Sequence, residues 1–295
     1  MIILHIGMPK TGTSSLQHSL ALQMRSGGTE LVYPLVGRAG SVGHHALARL
    51  VAARGVDISE VDELVDIAAN ATAPVVISSE AFNGLDVPIM SARVDRLATA
   101  GEVRVLMAFR EMASFLESMY LQGVRTGRTT VSFDQYLNLR VRNWLGVYCW
   151  LKNRFDHVAA LRLALGERLC LKLVVPQFNA LEMLSELTEV PAHVLLRHQA
   201  ELPRNEKRSL KTQITMLNLK AIERRIGRQV DRRLLLRSLQ QTEFEDDLHD
   251  YTVMSEQQFG LVGRRARKWA ERSGFHEYLA AFPESQRQAR QHVQL

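Results

Sequence analysis

Short β-branched apolar runs alternate with amphipathic stretches over the first two hundred residues, and this alternation constrains the fold more than any other feature. An apolar run of about four to eight residues predicts a strand that is buried on both faces. The longer stretches between the runs have helical periodicity. The alternation therefore predicts an α/β fold in which helices cover both faces of a parallel sheet. The predicted strands are 2–6, 73–79, 103–109 and 169–174, with a shorter candidate at 30–34, and the predicted helices are 13–25, 44–54, 59–71, 89–100, 111–126, 145–164 and 177–188.

The strand signals stop after about residue 200, and the rest of the chain is predicted to be helical. No internal repeat and no low-complexity linker separates the two parts. We therefore expect a single domain over 1–295, with a nucleotide-binding α/β core over about 1–200 and a helical part over about 201–285. The helices predicted in the second part are 207–226, 231–241 and 255–281.

The composition of the chain indicates its cellular compartment and the class of ligand that it binds. The chain contains only two cysteines, Cys149 and Cys170, so a disulfide framework or a cysteine zinc site is not expected. No run approaches the ~20 apolar residues of a membrane helix, and no basic leader precedes the first strand. These features predict a cytoplasmic protein without a membrane span. The net charge of +6 suits an anionic partner, such as a nucleotide, an acidic glycan or a nucleic acid, without choosing among them.

The first predicted strand runs into a glycine-rich loop, "GMPKTGTSSLQ" (7–17), at the start of a predicted helix. Gly7 and Gly12 have the separation found in an ATP-type phosphate loop, in which a lysine follows the second glycine. Here Thr13 follows the second glycine, and Lys10 lies inside the loop. The backbone N–H groups of the loop and the helix N-terminus can still bind an anion. A lysine inside the loop would lie beside a bridging oxygen, which suits a donor whose transferable group is carried directly on a 5′-phosphate.

This loop closely resembles the 5′-phosphosulfate loop of the sulfotransferases, especially bacterial ones that act on carbohydrates and related metabolites. Those enzymes use 3′-phosphoadenosine 5′-phosphosulfate (PAPS) as co-substrate and release adenosine 3′,5′-bisphosphate (PAP). The resemblance implies a P-loop NTPase-like, three-layer α/β/α fold around a parallel sheet of about five strands. An ordinary tight connection between strand and helix is the alternative interpretation of a glycine-rich turn. The resemblance also implies that the 5′-phosphosulfate is held by Lys10, Thr11, Gly12, Thr13, Ser14 and Ser15.

A PAPS enzyme must also hold a 3′-phosphate, and the segment 103–122 offers a second anion site. Arg110 stands at the junction of a predicted strand and helix, and its planar guanidinium suits a phosphate. Ser118 follows about two helical turns later, which returns it to a similar face. Sulfotransferases show the same strand–Arg–helix–Ser arrangement, and the resemblance assigns both residues to the 3′-phosphate. Taken alone, the arginine could instead pair with Glu111 or Glu117, and the serine could be an ordinary helix-face hydroxyl.

Sulfuryl transfer to an alcohol needs a base that removes the acceptor proton. Glu80 follows the predicted strand 73–79, and the carboxyl ends of parallel strands form the usual site edge. Sulfotransferases often place a catalytic His or Glu after the corresponding strand, and bacterial relatives carry a similar "SSE", so Glu80 is the first choice. His44 and His45 are the alternatives, although capping and packing account for them at least as well. Lys10 is predicted to stabilise the leaving phosphate. No metal is expected, since the histidines have no third ligand at a recognisable spacing.

The remaining signals are weaker. The segment 203–220 is similar to a late region of these enzymes, and its residues could close over a ligand or simply begin a solvated helix. The resemblance covers about 1–220. The basic R-K-G clamp that ends the small-molecule enzymes is absent, and "GRRARK" (263–268) is only loosely similar to it. The candidate ligand-closing residues are Arg204, Asn205 and Lys207, and the aromatic residues that could stack on adenine, or belong to the core, are Trp144, Tyr148, Trp150 and Phe178.

These motifs together favour a PAPS-dependent sulfotransferase that acts on a hydroxyl of a carbohydrate, a lipid-linked glycan or a related metabolite. A P-loop kinase is the first alternative. The residue after Gly12 is not lysine, and no strand end carries a clear Walker-B carboxylate, which argues against it. A non-catalytic anion- or glycan-binding protein on the same fold is the second alternative. Nucleic-acid binding is favoured by the net charge but lacks a motif of interleaved aromatic and basic residues.

Overall fold

The structure is a computed structural model, and it describes residues 1–8, 10–126, 128–129, 131–139, 145–174, 180–195, 197, 214–219, 223, 227, 229–231, 234–235, 251–282 and 291–292. The chain divides into two compact units. The first consists of Met1–Arg110, Phe155–Pro203 and Ser273–Ala281, and the second of Glu111–Arg154, Arg204–Arg272 and Phe282–Leu295. The expected single domain stays a prediction.

A parallel four-stranded sheet forms the centre of the first unit. Its strands are β1 (Ile2–His5), β2 (Val75–Ser78), β3 (Val103–Arg110) and β4 (Leu169–Val174). They lie in the order β2–β1–β3–β4, so β1 and β3 are interior. Every residue of β1 and β2 is buried, which accounts for their unbroken apolar character. The predicted α/β class with a parallel sheet is confirmed, and the P-loop NTPase-like class stays a prediction.

The segment 30–34 does not become a fifth strand in the described structure. Val32 makes an isolated parallel bridge with Val75, at the edge of β2. The N–H of Val76 donates to the carbonyl of Val32 at 2.8 Å. The next ladder bond would need an N–H at Pro34, which proline lacks, so pairing stops there. The sheet therefore has four strands, where the resemblance implied about five.

The helices of the α/β part lie close to their predicted bounds. The predicted helix 255–281 is broken near Gly274, whose φ of 64° is left-handed. The described residues 214–219 are helical and lie within the predicted 207–226, and two short strands after residue 200, β5 (Tyr251–Thr252) and β6 (Gln291–His292), were not predicted. The helices are α1 (Thr13–Arg25), α2 (His45–Arg54), α3 (Ser59–Asn70), α4 (Val87–Ala98), α5 (Met112–Arg125), α6 (Phe133–Leu139), α7 (Leu145–Leu165), α8 (Ala180–Thr188), α9 (Ala192–Leu195), α10 (Glu256–Arg272) and α11 (His276–Ala281).

One face of the sheet packs on α1, α8 and α9. Strand residues that alternate onto this face include Ile3 and Leu106, and α1 contributes Leu16 and Leu20 to the same buried cluster. The spacing of the two α1 leucines, one turn apart, is the helical period that the sequence showed. This packing fixes α1 over the sheet and so fixes the loop that leads into it.

An aromatic cluster covers the opposite face. Phe109 of β3 lies at ring-centroid distances of 5.7 Å from Phe155, 5.2 Å from Phe275 and 5.9 Å from Tyr278. All four rings are fully or almost fully buried. Edge-to-face geometry dominates these pairs and adds to the stabilisation from burial. Helices thus lie on both faces, as expected for a three-layer arrangement.

The second unit has a smaller core of its own. Tyr120 of α5 packs against Phe133 and Tyr136 of α6, with ring centroids 5.0 and 5.2 Å away. The carboxylate of Glu117 in α5 accepts a hydrogen bond of 2.7 Å from the N–H of Val253. These contacts join α5, α6 and the segment that precedes α10.

Replacing Phe109 with alanine should strongly destabilise the first unit. The substitution removes the ring at the centre of the aromatic cluster, and buried Phe→Ala changes cost about 3–5 kcal/mol in the free energy of unfolding. Urea unfolding followed by circular dichroism measures the loss. Leu163→Ala is the control, because Leu163 is 91% exposed on α7, and its effect should stay within about 0.5 kcal/mol. Equal effects of the two substitutions would contradict the packing described.

Candidate functional site

The loop between β1 and α1 continues along β3 before it turns. The N–H of Met8 donates to the carbonyl of Ala108 at 3.0 Å. A Cβ added to Gly7 would lie 2.6 Å from His5 Nε2 and 3.2 Å from Ala108 Cβ. No side chain fits there without displacing a buried ring, so this glycine is required by close approach.

The loop then turns through two left-handed residues. The φ angle is 67° at Lys10 and 86° at Gly12, the N-cap of α1. A left-handed conformation costs a non-glycine residue about 1–2 kcal/mol, so the surroundings must hold Lys10 in place. Arg110 contributes to this, because its Nη1 donates to the Lys10 carbonyl at 2.8 Å. Backbone strain of this kind is concentrated at functional sites.

The two threonine hydroxyls of the loop point inward. Thr11 Oγ1 donates to the carbonyl of Met8 at 2.6 Å and lies 3.3 Å from Thr13 Oγ1. Both threonines are buried, whereas Ser14 is exposed and Ser15 is half-buried. The threonine hydroxyls therefore shape the loop, and their predicted contact with a phosphate stays a prediction.

The N-terminus of α1 has the features of an anion site. The cap residue is Gly12, and within the described part of the chain no side chain caps the first turn. That turn also contains no acidic residue. Its backbone N–H groups, from Thr13 to Ser15, are donors of the kind that bind phosphate or sulfate at helix N-termini.

Ser78, at the end of β2, links the loop to α1. Its Oγ accepts a bond of 3.2 Å from Gln17 Nε2 and lies 2.8 Å from His5 Nδ1. His5 Nε2 is buried beside Gly7 and has no hydrogen-bond partner among the described residues.

His44 is held by structural contacts. The N–H of Ser78 donates to His44 Nδ1 at 3.2 Å, and His44 Nε2 lies 3.1 Å from the carbonyl of Pro34. Both contacts are made by a neutral ring that carries its proton on Nε2. Burial is the main reason that the pKa of His44 falls to about 3. These contacts favour the packing interpretation of His44 that the sequence left open.

The three predicted catalytic residues lie together at the end of β2. His45 Nδ1 is 2.7 Å from Ser79 Oγ, which also accepts a bond of 3.1 Å from the N–H of Ala81. Glu80 begins a 3₁₀ turn, Glu80–Gly84, and is half-buried. Burial raises the pKa of Glu80, and the positive charges of His45 and Lys10 partly offset that rise. The arrangement places a carboxylate of increased basicity near the Lys10 ammonium and the His45 imidazole.

Arg110 and Ser118 are placed on different elements. Arg110 ends β3 in the first unit, and Ser118 is half-buried on α5 in the second. The Glu111 carboxylate caps α5 by accepting bonds of 2.8 and 2.6 Å from the N–H groups of Ala113 and Ser114. The assignment of a 3′-phosphate to Arg110 and Ser118 stays a prediction.

The segment 263–268 lies within α10 of the second unit and is described. Several other predicted contributors fall where side chains are not described. Tyr148 and Trp150 belong to the described backbone of α7, but their side chains lie outside the description. The residues outside the described ranges altogether are Trp144, Phe178, Arg204, Asn205 and Lys207.

No group of three or more His, Cys, Asp or Glu side chains among the described residues could hold a metal ion. None of the helices described is both long and apolar enough for a membrane span. Comparison with protein-family models, with curated proteins and with solved structures finds no match to this chain.

Sequence reasoning missed part of this environment. It did not single out His5, Gln17 or Ser78, although a histidine inside an otherwise apolar buried strand was a usable signal. It also missed Arg93, which is completely buried on α4. The helical spacing of Met90, Val94 and Leu97 places Arg93 beside the buried face of α4 and Arg96 further from it, so the periodicity was a usable signal.

Stability should fall in acid because two rings are buried as neutral histidines. Burial lowers the pKa of His5 to about 4, as it lowers that of His44 to about 3, while unfolded histidine titrates near 6.5. Below about pH 6.5 the unfolded chain binds protons that the folded chain excludes. The free energy of unfolding should then decrease by up to about 1.4 kcal/mol per pH unit for each ring as pH falls from about 6.5 towards 4.

Urea unfolding at several pH values between 7.5 and 4.5 measures that slope. His5→Asn keeps a polar group in the place of Nδ1 but removes the titration of residue 5. The free energy of unfolding should then fall less steeply below pH 6.5, by the contribution of one histidine ring. Carboxylates titrate alike in both proteins and cancel in the comparison. Identical slopes for wild type and variant would show that His5 is not excluded from protonation by folding.

Proposed function

We propose that this protein is a PAPS-dependent sulfotransferase that acts on a hydroxyl of a carbohydrate or related metabolite. The arrangement that carries this proposal is the half-buried Glu80, with His45 bonded to the adjacent Ser79, near the loop that contains the left-handed Lys10 and leads to the uncapped N-terminus of α1. Transfer of an anionic group to an alcohol requires a base, a positive charge and an anion-binding site close to one another. The identity of the donor is inferred from the resemblance of this loop to the phosphosulfate loop of the sulfotransferases.

The described residues fit a phosphosulfate donor. The uncapped first turn of α1 provides backbone N–H groups of the kind that bind an anion. Lys10 adds a positive charge inside the same loop. Arg110 already donates one hydrogen bond to Lys10 O, but a guanidinium has five donors, so this bond leaves a 3′-phosphate role open to it.

PAPS would supply the sulfuryl group, whose bond to a 5′-phosphate oxygen breaks as a bond to the acceptor oxygen forms. Glu80 would take the proton of the acceptor hydroxyl, and its raised pKa makes it a better base than an exposed carboxylate. Lys10 would stabilise the negative charge that develops on the leaving phosphate. His45, held by Ser79, would orient the hydroxyl or substitute as the base.

The choice of nucleotide tests the donor. We expect PAP to raise the melting temperature more than ATP with magnesium at the same concentration, because a ligand that binds only the folded state stabilises it by about 2.7 kcal/mol at one hundred times its Kd. Differential scanning fluorimetry of the wild-type chain measures both shifts. A larger shift with ATP and magnesium would instead support the kinase alternative.

Substitution of Glu80 tests the base. Glu80→Gln should lower kcat by about 10²–10⁴-fold, the typical contribution of general-base catalysis, while PAP binding is kept. Lys10→Met should lower both turnover and PAP binding. Sulfuryl transfer from radiolabelled PAPS to a panel of sugars and glycolipids measures turnover. Glu63→Gln, at an exposed position of α3, is the matched control and should behave as wild type.

Three outcomes separate the interpretations. Full activity of Glu80→Gln together with loss in His45→Asn would move the base to the histidine. Wild-type turnover in both Glu80→Gln and His45→Asn would contradict the proposal that either residue removes the acceptor proton. PAP binding without turnover of any acceptor would favour the non-catalytic binding protein.

A further inference from the structure

Arg93 is a buried cation without a partner. It lies on α4, has 0% of its surface exposed, and its guanidinium carbon is 4.0 Å from the centre of the Phe82 ring. None of its three guanidinium nitrogens has a hydrogen-bond partner within the described part of the chain. Burial lowers the pKa of Arg93 to about 9, so the group remains charged at neutral pH.

An unpaired buried charge is among the most unfavourable arrangements in a folded protein. The Phe82 ring attracts the cation through its face, but it cannot accept the in-plane N–H bonds of a guanidinium. Such donors are normally satisfied by a carboxylate, a phosphate or a sulfate, which fit the planar fork. The five N–H groups of Arg93 therefore indicate an oxyanion that the described residues do not supply.

A second arginine lies in the same region. Arg38 is also buried, and its Nε donates to the carbonyl of Ser41 at 3.1 Å. Neither Arg38 nor Arg93 forms an ion pair with a described residue. Both lie close enough to His44 for their charges to help hold the pKa of that ring low. The two guanidinium groups thus share the neighbourhood of His44, and neither is in an ion pair with a described carboxylate.

This region adjoins the proposed base. Phe82, against which Arg93 stacks, belongs to the same 3₁₀ turn as Glu80. The turn also contains Asn83, whose buried Oδ1 has no hydrogen-bond partner in the described structure. This short turn therefore contains the Glu80 carboxylate and the Asn83 amide oxygen, and its Phe82 packs on the Arg93 guanidinium. The Asn83 oxygen and the Arg93 nitrogens have no hydrogen-bond partner among the described residues.

We propose that Arg93, together with Arg38, binds an oxyanion group of the acceptor. The acceptor would then be an acidic molecule that carries a carboxylate or a sulfate ester in addition to the hydroxyl that reacts. This inference rests on the proposed function, since it names the class of acceptor for the same site. Asn83 would accept a hydrogen bond from another hydroxyl of that molecule.

Entry of the anion requires a neighbour to move, because Arg93 has no exposed surface. We take the irregular segment that carries Arg38 to be the part that moves, because it leads to His44, whose pKa both arginines lower. It contains the left-handed residues Gly37, Ala39 and Gly40 and begins beside Leu35, which is 79% exposed. Irregular surface segments of this type commonly form binding loops.

Thermal unfolding of wild type, Arg93→Met and Arg96→Met tests the proposal. Arg96 is the matched control, because it is one turn along α4 and pairs at the surface with Asp62 at 2.5 Å. The probes are sodium D-glucuronate and sodium sulfate, compared with sodium chloride at equal ionic strength and with D-glucose. Glucuronate represents a carboxylate-bearing acceptor, and sulfate represents the free anion.

Wild type and Arg96→Met should gain several degrees with glucuronate beyond the chloride control, and Arg93→Met should gain none. Without ligand, Arg93→Met should melt above wild type, because methionine removes an unpaired buried charge. A response to sulfate alone, lost in Arg93→Met, would support an anion site but overturn the acidic acceptor. Equal responses of wild type and Arg93→Met to both anions would overturn the whole proposal.

A measurement on the wild-type chain keeps the test valid if Arg93→Met does not fold. The arginine Nε–H signal that disappears in Arg93→Lys identifies Arg93 in a ¹⁵N spectrum, and glucuronate should shift it. An unmoved signal would overturn the proposal.

The melting shift with PAP separates this inference from the proposed function. PAP stabilisation of wild type with no dependence of the glucuronate response on Arg93 would remove only the inference. An Arg93-dependent glucuronate response without PAP stabilisation would remove the sulfotransferase proposal and leave the anion site.

Discussion

The hydrogen bonds of Ser78 hold the elements of the candidate site in one arrangement. Its hydroxyl joins His5 beneath the anion-type loop to Gln17 of α1, and its backbone N–H and carbonyl bond to His44 before α2. These partners come from three separate segments of the first unit, and Ser78 joins them to β2. Because all the groups are buried, breaking any bond would leave a polar atom without water or protein to satisfy it. The position of Glu80, two residues along the chain, follows from this network.

Positive charge is the second shared property of the site. The charge of Lys10 lowers the pKa of Glu80, the uncapped N-terminus of α1 follows the loop that contains Lys10, and the buried Arg93 stacks on Phe82 of the Glu80 turn. Concentrating cations and left-handed backbone in one place lowers the stability of the unliganded chain. An anionic ligand would relieve both effects, so the unfavourable features and the proposed chemistry have one explanation.

The sequence predicted the regular elements of the first unit well, because apolar runs and helical periods mark buried strands and helix faces directly. It was less reliable where one residue ends an element: Pro34 stops a fifth strand, and Gly274 interrupts a long helix. The loop and Glu80 were predicted as site elements from local motifs, and their roles stay predictions. His5 and Arg93 were missed because charged and polar residues are not expected in buried positions, although the helical spacing of Met90, Val94 and Leu97 places Arg93 beside the buried face of α4.

The outer edge of β2 is closed without a neighbouring strand. The N–H of Val76 bonds to the carbonyl of Val32, and the N–H of Ser78 bonds to the imidazole of His44, so a histidine ring takes the place of a backbone carbonyl. Exposed strand edges can pair with other chains and promote polymerisation. Here the donors of that edge are already occupied, which opposes intermolecular extension of the sheet on this side. A residue first considered for proton transfer thus protects the molecule against self-association.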